Sequence, residues 1–155
     1  MAQSLESLLI RVRTLTKRLT WVGPLLVRIS MASVFIVTGW GKLHNLPKVT
    51  AFFTELGIPM PGLNAGVVAT IEFVGGILIL LGLLTRFAAL PLALSMLVAI
   101  VTAKRSEIDG IDTLFAFNEF TYFACFVWLA LAGAGALSLD RLLFHRWPKP
   151  DPPRS

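Results

Sequence analysis

Four long apolar segments, which contain only two charged residues, restrict what this chain can fold into. They cover residues 22–40, 66–84, 87–103 and 120–139, and are 19, 19, 17 and 20 residues long. As helices, segments of this length cross the hydrocarbon layer of a bilayer, which is about 30 Å thick. Because lipid offers the backbone no hydrogen bonds, each segment must satisfy its own, as a helix does. The segments predict an all-α integral membrane protein, a four-helix bundle.

The composition excludes the soluble and the disordered classes of protein. Hydrophobic residues make up 55% of the chain and charged residues 15%, and the mean hydropathy is +0.76. A soluble domain carries about 25% charged residues, and disordered chains are poor in apolar residues. The net charge of +5 comes from basic ends beside apolar segments. This arrangement favours a lipid bilayer as the partner and excludes nucleic acid.

The connections between the segments predict two local structures. Thr85 and Arg86 leave room only for a tight turn, so the second and third segments should form an antiparallel hairpin. The first loop contains residues 49–56, which predict a short interfacial helix that ends at Gly57.

The two ends of the chain lie outside the predicted transmembrane domain, residues 22–143. Residues 1–21 predict an amphipathic interfacial helix on the cytoplasmic side, with leucines on one face and basic residues on the other. This helix is a lipid-facing anchor or, alternatively, a docking helix for a soluble partner. The proline-rich residues 144–155 predict a disordered cytoplasmic tail.

Charges inside the apolar segments are the strongest functional signal. Arg28 and Glu72 lie well within the first and second segments, where a lone charge costs at least about 2.5 to 3.5 kcal/mol. Helical rise gives an offset of about 8 Å between their depths, of which an extended arginine spans much, and a tilted helix could remove the rest. Two interpretations remain: a structural Arg28–Glu72 ion pair, or an intramembrane polar site for a substrate, quinone or proton that uses the same two residues.

Other polar residues gather at the predicted extracytoplasmic mouth of the bundle. They are His44, Asn45, Asn118, Glu119 and Tyr122. The histidine makes a functional site conceivable, but residues at this depth also serve as ordinary interfacial anchors. Both roles stay open at this point.

The chain lacks the motifs of several cofactor chemistries. His44 and His145 are predicted to lie on opposite sides of the membrane, which excludes a bis-histidine haem site within one chain. No cysteine and histidine spacing suits zinc or an iron–sulfur cluster. Cys125 lies in an apolar segment, and this setting predicts that its thiol is buried and inert. We therefore expect no metal and no motif-bound cofactor, and the sequence identifies no catalytic residue.

Three stretches resemble the DoxX family of four-helix bacterial inner-membrane proteins. They are RISMASVFIVTGWGKL at residues 28–43, IEFVGGILILLGLLTRFAAL at residues 71–90, and GAGALSLDRLL at residues 133–143. The resemblance covers residues 22–143. Its characteristic positions are Arg28, Gly39, Lys42, Glu72, Gly75, Gly76, Thr85, Arg86, Ser138, Leu139 and Asp140.

The resemblance implies a multi-pass protein of the bacterial inner membrane that serves as the membrane subunit of a redox complex. Relatives of this kind belong to thiosulfate:quinone oxidoreductase, so the resemblance implies a soluble redox partner and a quinone near Arg28, Glu72 and Lys42. The chain would then be a non-catalytic subunit of an oxidoreductase. Alternatives are a small transporter or permeation module and a purely structural assembly partner. Each of these three functions is compatible with a homo-oligomer.

The distribution of basic residues predicts that both termini are cytoplasmic. Nine basic residues fall on the side of the termini and four on the opposite side, and basic residues near membrane spans concentrate in the cytoplasm. The nine are Arg11, Arg13, Lys17, Arg18, Arg86, Arg141, Arg146, Lys149 and Arg154, and the four are Lys42, Lys48, Lys104 and Arg105. Epitope tags at both ends should resist protease on intact cells, while a tag near Lys104 should be cleaved. An N-terminal tag that is cleaved on intact cells contradicts this topology.

Overall fold

The fold of the chain is built from helices. The computed structural model describes residues 11–144, apart from residues 15, 17 and 18, and this part of the chain contains no β-strand. The helices are α1 (Val22–His44), α2 (Leu46–Glu55), α3 (Pro61–Leu81), α4 (Thr85–Thr102), α5 (Ile111–Ala116), α6 (Asn118–Ala132) and α7 (Leu139–Phe144), with a short 3₁₀ helix at Arg105–Glu107. The predicted all-α class is confirmed.

Three of the helices, α1, α3 and α4, are long and apolar enough to cross a membrane. The fourth apolar helix, α6, has 15 residues and is therefore about 22 Å long. The prediction that this segment stays helical to residue 139 was wrong. Gly133 has a φ of 82°, a left-handed conformation that glycine adopts readily and that ends the helix.

The helices pack as two pairs, α1 along α3 and α4 along α6, and the pairs meet through α3 and α4. The side chains between them form an apolar core of aliphatic, methionine and phenylalanine residues. Phe35 of α1 contacts the rings of Tyr122 and Phe126 of α6 edge to face, with centroids 5.5 and 4.8 Å apart. These aromatic contacts join α1 to the second pair of helices.

Glycines allow α1 and α3 to approach closely and determine their register. A Cβ atom at Gly39 would lie 2.8 Å from the Cα atom of Phe73, and one at Gly76 would lie 3.0 Å from the backbone nitrogen of Ile36. The order of these contacts along the chain shows that the two helices are antiparallel. Small residues at such contacts are typical of helix packing in membranes.

The hairpin between α3 and α4 forms close to its predicted position, but Thr85 and Arg86 begin α4 rather than form the turn. The turn consists of residues 82–84. The carboxylate of Asp140 accepts hydrogen bonds from the backbone N–H groups of Leu84 at 2.6 Å and Thr85 at 3.0 Å. It thereby satisfies donors at the start of α4 that have no partner within the helix.

The helix predicted in the first loop is confirmed as α2, and its interfacial position stays a prediction. It begins at Leu46, three residues earlier than predicted, because Pro47 suits the first turn of a helix. Gly57, with a φ of 69°, follows its end. In the third loop, Lys104 binds the carboxylate of Glu107 at 3.0 Å, and this hydrogen bond raises the pKa of Lys104.

Only part of the predicted amphipathic N-terminal helix is described. Residues 11–14 and 16 are helical and exposed. Residues 19–21 form a turn before α1 and not the end of the predicted helix. Residues 1–10, 15, 17 and 18 of this prediction lie outside the described residues. The predicted tail also lies outside them, except that Phe144 ends α7. The cytoplasmic position of both termini stays a prediction.

Replacing Gly39 by alanine should destabilise the bundle, because the new methyl group would overlap the backbone of α3. Overpacking of this kind costs about 1 to 3 kcal/mol. Gly41, two residues further along α1, provides the matched control, since no atom of the described residues lies within 4 Å of the position that its Cβ would take. Gly41→Ala should be neutral or slightly stabilising, because alanine favours helix. Unfolding in mixed detergent micelles measures both variants, and equal stability of the two would contradict the proposed close contact.

Candidate functional site

A cavity of about 730 Å³ lies among α1, α2, α3, α4 and α6. This volume is in the range of binding sites for small molecules, about 300 to 1,000 Å³. Its walls are mainly aliphatic and aromatic, with a few polar groups. The polar side chains on the walls are those of Thr38, Lys42, Lys48, Asn64, Glu72, Ser95, Thr102, Glu119 and Tyr122.

An ion pair between Lys42 and Glu72 lies in the wall of this cavity. The Nζ atom of Lys42 donates to Oε1 of Glu72 at 2.5 Å. The glutamate side chain is 2% exposed, and the lysine side chain is 34% exposed. The second carboxylate oxygen, Oε2 of Glu72, is buried and has no hydrogen-bond partner among the described residues. The site therefore contains a charged acceptor that the fold itself leaves unsatisfied.

The register of α1 against α3 explains why Lys42 reaches Glu72. Ile36 packs against Gly76, and Lys42 follows Ile36 by six residues. Because the helices are antiparallel, Lys42 is about level with residue 70 of α3, which is six residues before Gly76 and two residues from Glu72. At 1.5 Å per residue, the offset along the helix axis is about 3 Å, and a lysine side chain spans this distance.

The direct Arg28–Glu72 ion pair considered from the sequence does not form. Arg28 precedes Ile36 by eight residues on α1, and Glu72 precedes Gly76 by four residues on α3. Because the helices are antiparallel and Ile36 packs against Gly76, the two charges lie on opposite sides of this contact, about 18 Å apart along the axis. The predicted offset of about 8 Å was wrong because it aligned the ends of the apolar segments, whereas the glycine contacts shift the register of the helices.

Arg28 instead binds the backbone at the opposite end of α3. Its side chain is 2% exposed. The guanidinium donates to the carbonyls of Ile79 at 2.8 Å, Leu80 at 2.6 Å, Ala134 at 3.0 Å and Leu137 at 2.5 Å. Carbonyls in the last turn of a helix lack intrahelical partners and carry partial negative charge. Arg28 therefore holds helix ends together through the backbone and does not line the cavity. The sequence predicted it to lie in the polar site with Glu72.

The predicted mouth residues divide into two groups. Glu119 and Tyr122, on α6, line the cavity with Lys42 and Glu72. The remaining three do not line it. His44 and Asn45 bond to carbonyls one turn earlier in α1, at 2.9 and 3.0 Å, and Asn118 is exposed at the start of α6.

Sequence reasoning missed the contribution of α2 and α4 to the site. Lys48 and Phe52 of α2 form part of one wall, and Ser95 and Ala99 of α4 form part of another. The paired phenylalanines of the first loop indicated an interfacial helix, but nothing in the sequence shows that this helix covers a cavity. Ser95 is a single small polar residue within an apolar segment and gave no distinct signal.

The rim of the cavity includes apolar side chains that face outward from the membrane-crossing helices. Val67 of α3 is 44% exposed, and Leu94 and Val98 of α4 are 60% and 41% exposed. In a membrane these side chains contact lipid, so the cavity is accessible to a molecule dissolved in the bilayer. The arrangement suits an apolar ligand with a polar head, held by few hydrogen bonds.

The stability contribution of Glu72 should depend on Lys42, the residue with which it forms an ion pair, and not on Arg28. In a double-mutant cycle with Lys42→Met and Glu72→Gln, we expect a coupling energy of about 1 to 3 kcal/mol, because the two residues are in contact. In the matched cycle with Arg28→Met and Glu72→Gln, the effects should add within about 0.5 kcal/mol. Unfolding in bicelles provides both measurements. A larger coupling for Arg28 than for Lys42 would show that the pairing described above is incorrect.

Comparison with known proteins identifies the family of the chain. The family model described as DoxX matches residues 23–105, which include Arg28, Lys42 and Glu72. Inner membrane protein YqjF of Escherichia coli (strain K12) is 36% identical over 131 residues, covering 84% of this chain and 99% of the relative.

Further relatives extend the same similarity. CatD of Bacillus subtilis (strain 168), which is named as a candidate oxidoreductase, is 34% identical over 126 residues, covering 79% of this chain and 88% of the relative. Inner membrane protein YphA of Escherichia coli (strain K12) is 30% identical over 122 residues, covering 76% and 87%. No solved structure matches the chain significantly. Since the family model covers more than half of the chain and several helices can cross a membrane, the chain is a multi-pass inner-membrane protein of the DoxX family.

Proposed function

We propose that this protein is the membrane subunit of a redox complex and that its cavity binds a quinone. The observation that supports the proposal is the combination of mainly apolar walls with the Lys42–Glu72 ion pair, of which the glutamate is buried and the lysine partly exposed. A quinone has the same combination, an apolar tail and a ring with two polar oxygens. The proposal therefore assigns the ring to the neighbourhood of the ion pair and the tail to the apolar remainder of the cavity.

The position of the cavity fits a ligand that is taken from the bilayer. Quinones are dissolved in the membrane, and the outward-facing Val67, Leu94 and Val98 at the rim give such a molecule a lateral route. A polar solute would have to cross this apolar rim or pass the amphipathic helix α2. The apolar walls consequently favour a quinone over the permeation of polar solutes.

The electrons that reduce a quinone would come from a partner protein. The described residues contain no group of three or more histidine, cysteine, aspartate or glutamate side chains that could hold a metal ion. We therefore assign the electron-donating centre to a soluble redox protein that docks on the membrane subunit. The name of the relative CatD, a candidate oxidoreductase, supports a role in redox chemistry.

Filling the cavity should displace the quinone. Ala99 lines the cavity, and Ala99→Phe places a ring in the space assigned to the ligand. Ala124 of α6 is exposed and does not line the cavity, so Ala124→Phe is the matched control. Organic extraction of the purified proteins, followed by chromatography, should recover about tenfold less quinone from Ala99→Phe, a loss of about 1.4 kcal/mol in binding. The control should retain the amount found in the original protein.

Two results would contradict this function. If the original protein and both variants carry the same trace of quinone, the cavity is not its binding site. If the purified protein carries none but transports small solutes into liposomes, and Ala99→Phe blocks that transport, the cavity belongs to a permeation module.

A further inference from the structure

The unsatisfied oxygen of Glu72 determines which ligand the cavity can hold. Oε2 is buried and accepts no hydrogen bond from any described residue, while Oε1 accepts from Lys42. Leaving a charged acceptor without a donor carries the full desolvation penalty of that group. The missing donor must come from outside the fold.

No described residue around Glu72 donates a hydrogen bond to Oε2. The residues on its side of α3 are small and apolar, namely Ala65, Ala69, Gly75 and Gly76, and they are buried against neighbouring helices. Gly39 of α1 packs against the backbone at Glu72 and Phe73. These residues carry no side-chain donor, and Glu72 itself lines the cavity. A ligand in the cavity is therefore the donor that we consider for Oε2, which would meet it after a rotation of the carboxylate, because this oxygen is itself buried.

We propose that the site binds the reduced form of the ligand, a hydroquinone, in preference to the quinone; the inference rests on the proposed function. A hydroquinone has two hydroxyl groups, and one of them can donate to Oε2 of Glu72. A quinone has only carbonyl oxygens, which cannot donate, and a carbonyl oxygen placed at Oε2 would bring its partial negative charge against the carboxylate. Because a hydrogen bond to a charged group is stronger than one between neutral groups, the hydroquinone should bind about tenfold more tightly.

This preference would change the redox behaviour of the bound ligand. Reduction of the quinone takes up two electrons, supplied by the soluble redox partner, and two protons from water, and yields the hydroquinone. A site that binds the product about tenfold more tightly raises the reduction potential of the bound couple by about 30 mV. The bound quinone is then a stronger electron acceptor than the same molecule in the bilayer.

The test compares three ligands of the same shape. The full-length protein is reconstituted in nanodiscs of quinone-free lipid and dialysed under anaerobic conditions. The probes are a decyl-substituted benzoquinone, its hydroquinone, and the dimethyl ether of the hydroquinone, which keeps the ring and tail but has no donor. We expect the hydroquinone to bind about tenfold more tightly than either of the others.

A pair of variants then tests the role of the carboxylate. Glu72→Gln presents an amide that can both donate and accept, so the ratio of hydroquinone to quinone affinity should fall to about one. Glu107→Gln makes the same chemical change at an exposed residue outside the cavity and should keep the original ratio. If Glu72→Gln does not fold, the three ligands still decide the question on the original protein.

The outcomes separate the inference from the function on which it rests. If quinone and hydroquinone bind equally, or if the dimethyl ether binds as tightly as the hydroquinone, the preference for a donor is overturned while the quinone site remains. If none of the three probes binds, the proposed function itself is overturned.

Discussion

The hydrogen bonds of Arg28 hold the bundle together at the end where its helices are interrupted. Its guanidinium joins α1 to two carbonyls at the end of α3 and to two carbonyls of the non-helical segment after α6. Non-helical backbone is tolerated at membrane depth only where protein or water satisfies its polar groups. Arg28 satisfies this condition for Ala134 and Leu137, so the helix can end at Gly133 inside the apolar segment. The charge in turn gains several acceptors in place of water.

The sequence allowed the apolar helices and their inward faces to be predicted, but not the partners of the charges. Arg28 and Glu72 are both 2% exposed, as predicted from the cost of charge in lipid. Their separation depends on the register of α1 and α3, which the close contacts of Gly39 and Gly76 determine. A sequence shows which residues are small, but not where two helices place them against each other. The end of α6 at Gly133 was missed for a related reason, since its apolar sequence continues beyond the last helical hydrogen bond.

The charged and polar positions that resemble the DoxX pattern divide into two clusters along α1 and α3. Arg28 and Asp140 bind backbone groups, at the end of α3 and at the start of α4 respectively. Lys42 and Glu72 lie toward the other end of α1 and face the cavity. The charged groups of the first cluster make their hydrogen bonds to the protein backbone, whereas in the second cluster Oε2 of Glu72 has no hydrogen-bond partner among the described residues. On the proposed function, the first cluster stabilises the fold and the second cluster serves the ligand.

The helices around the two clusters also differ in how much buried packing stabilises them. Arg28 is surrounded by helix ends that its own hydrogen bonds connect. One wall of the cavity is instead formed by α2, which contains no buried residue and packs mainly on α3. Because few buried apolar contacts hold it, displacement of α2 costs less free energy than separation of α1 from α3. If the cavity binds a quinone, as proposed above, movement of α2 would widen it at a lower cost than separation of α1 from α3. The contacts of Gly39, Gly76 and Arg28 would keep the helices that carry Lys42 and Glu72 in place.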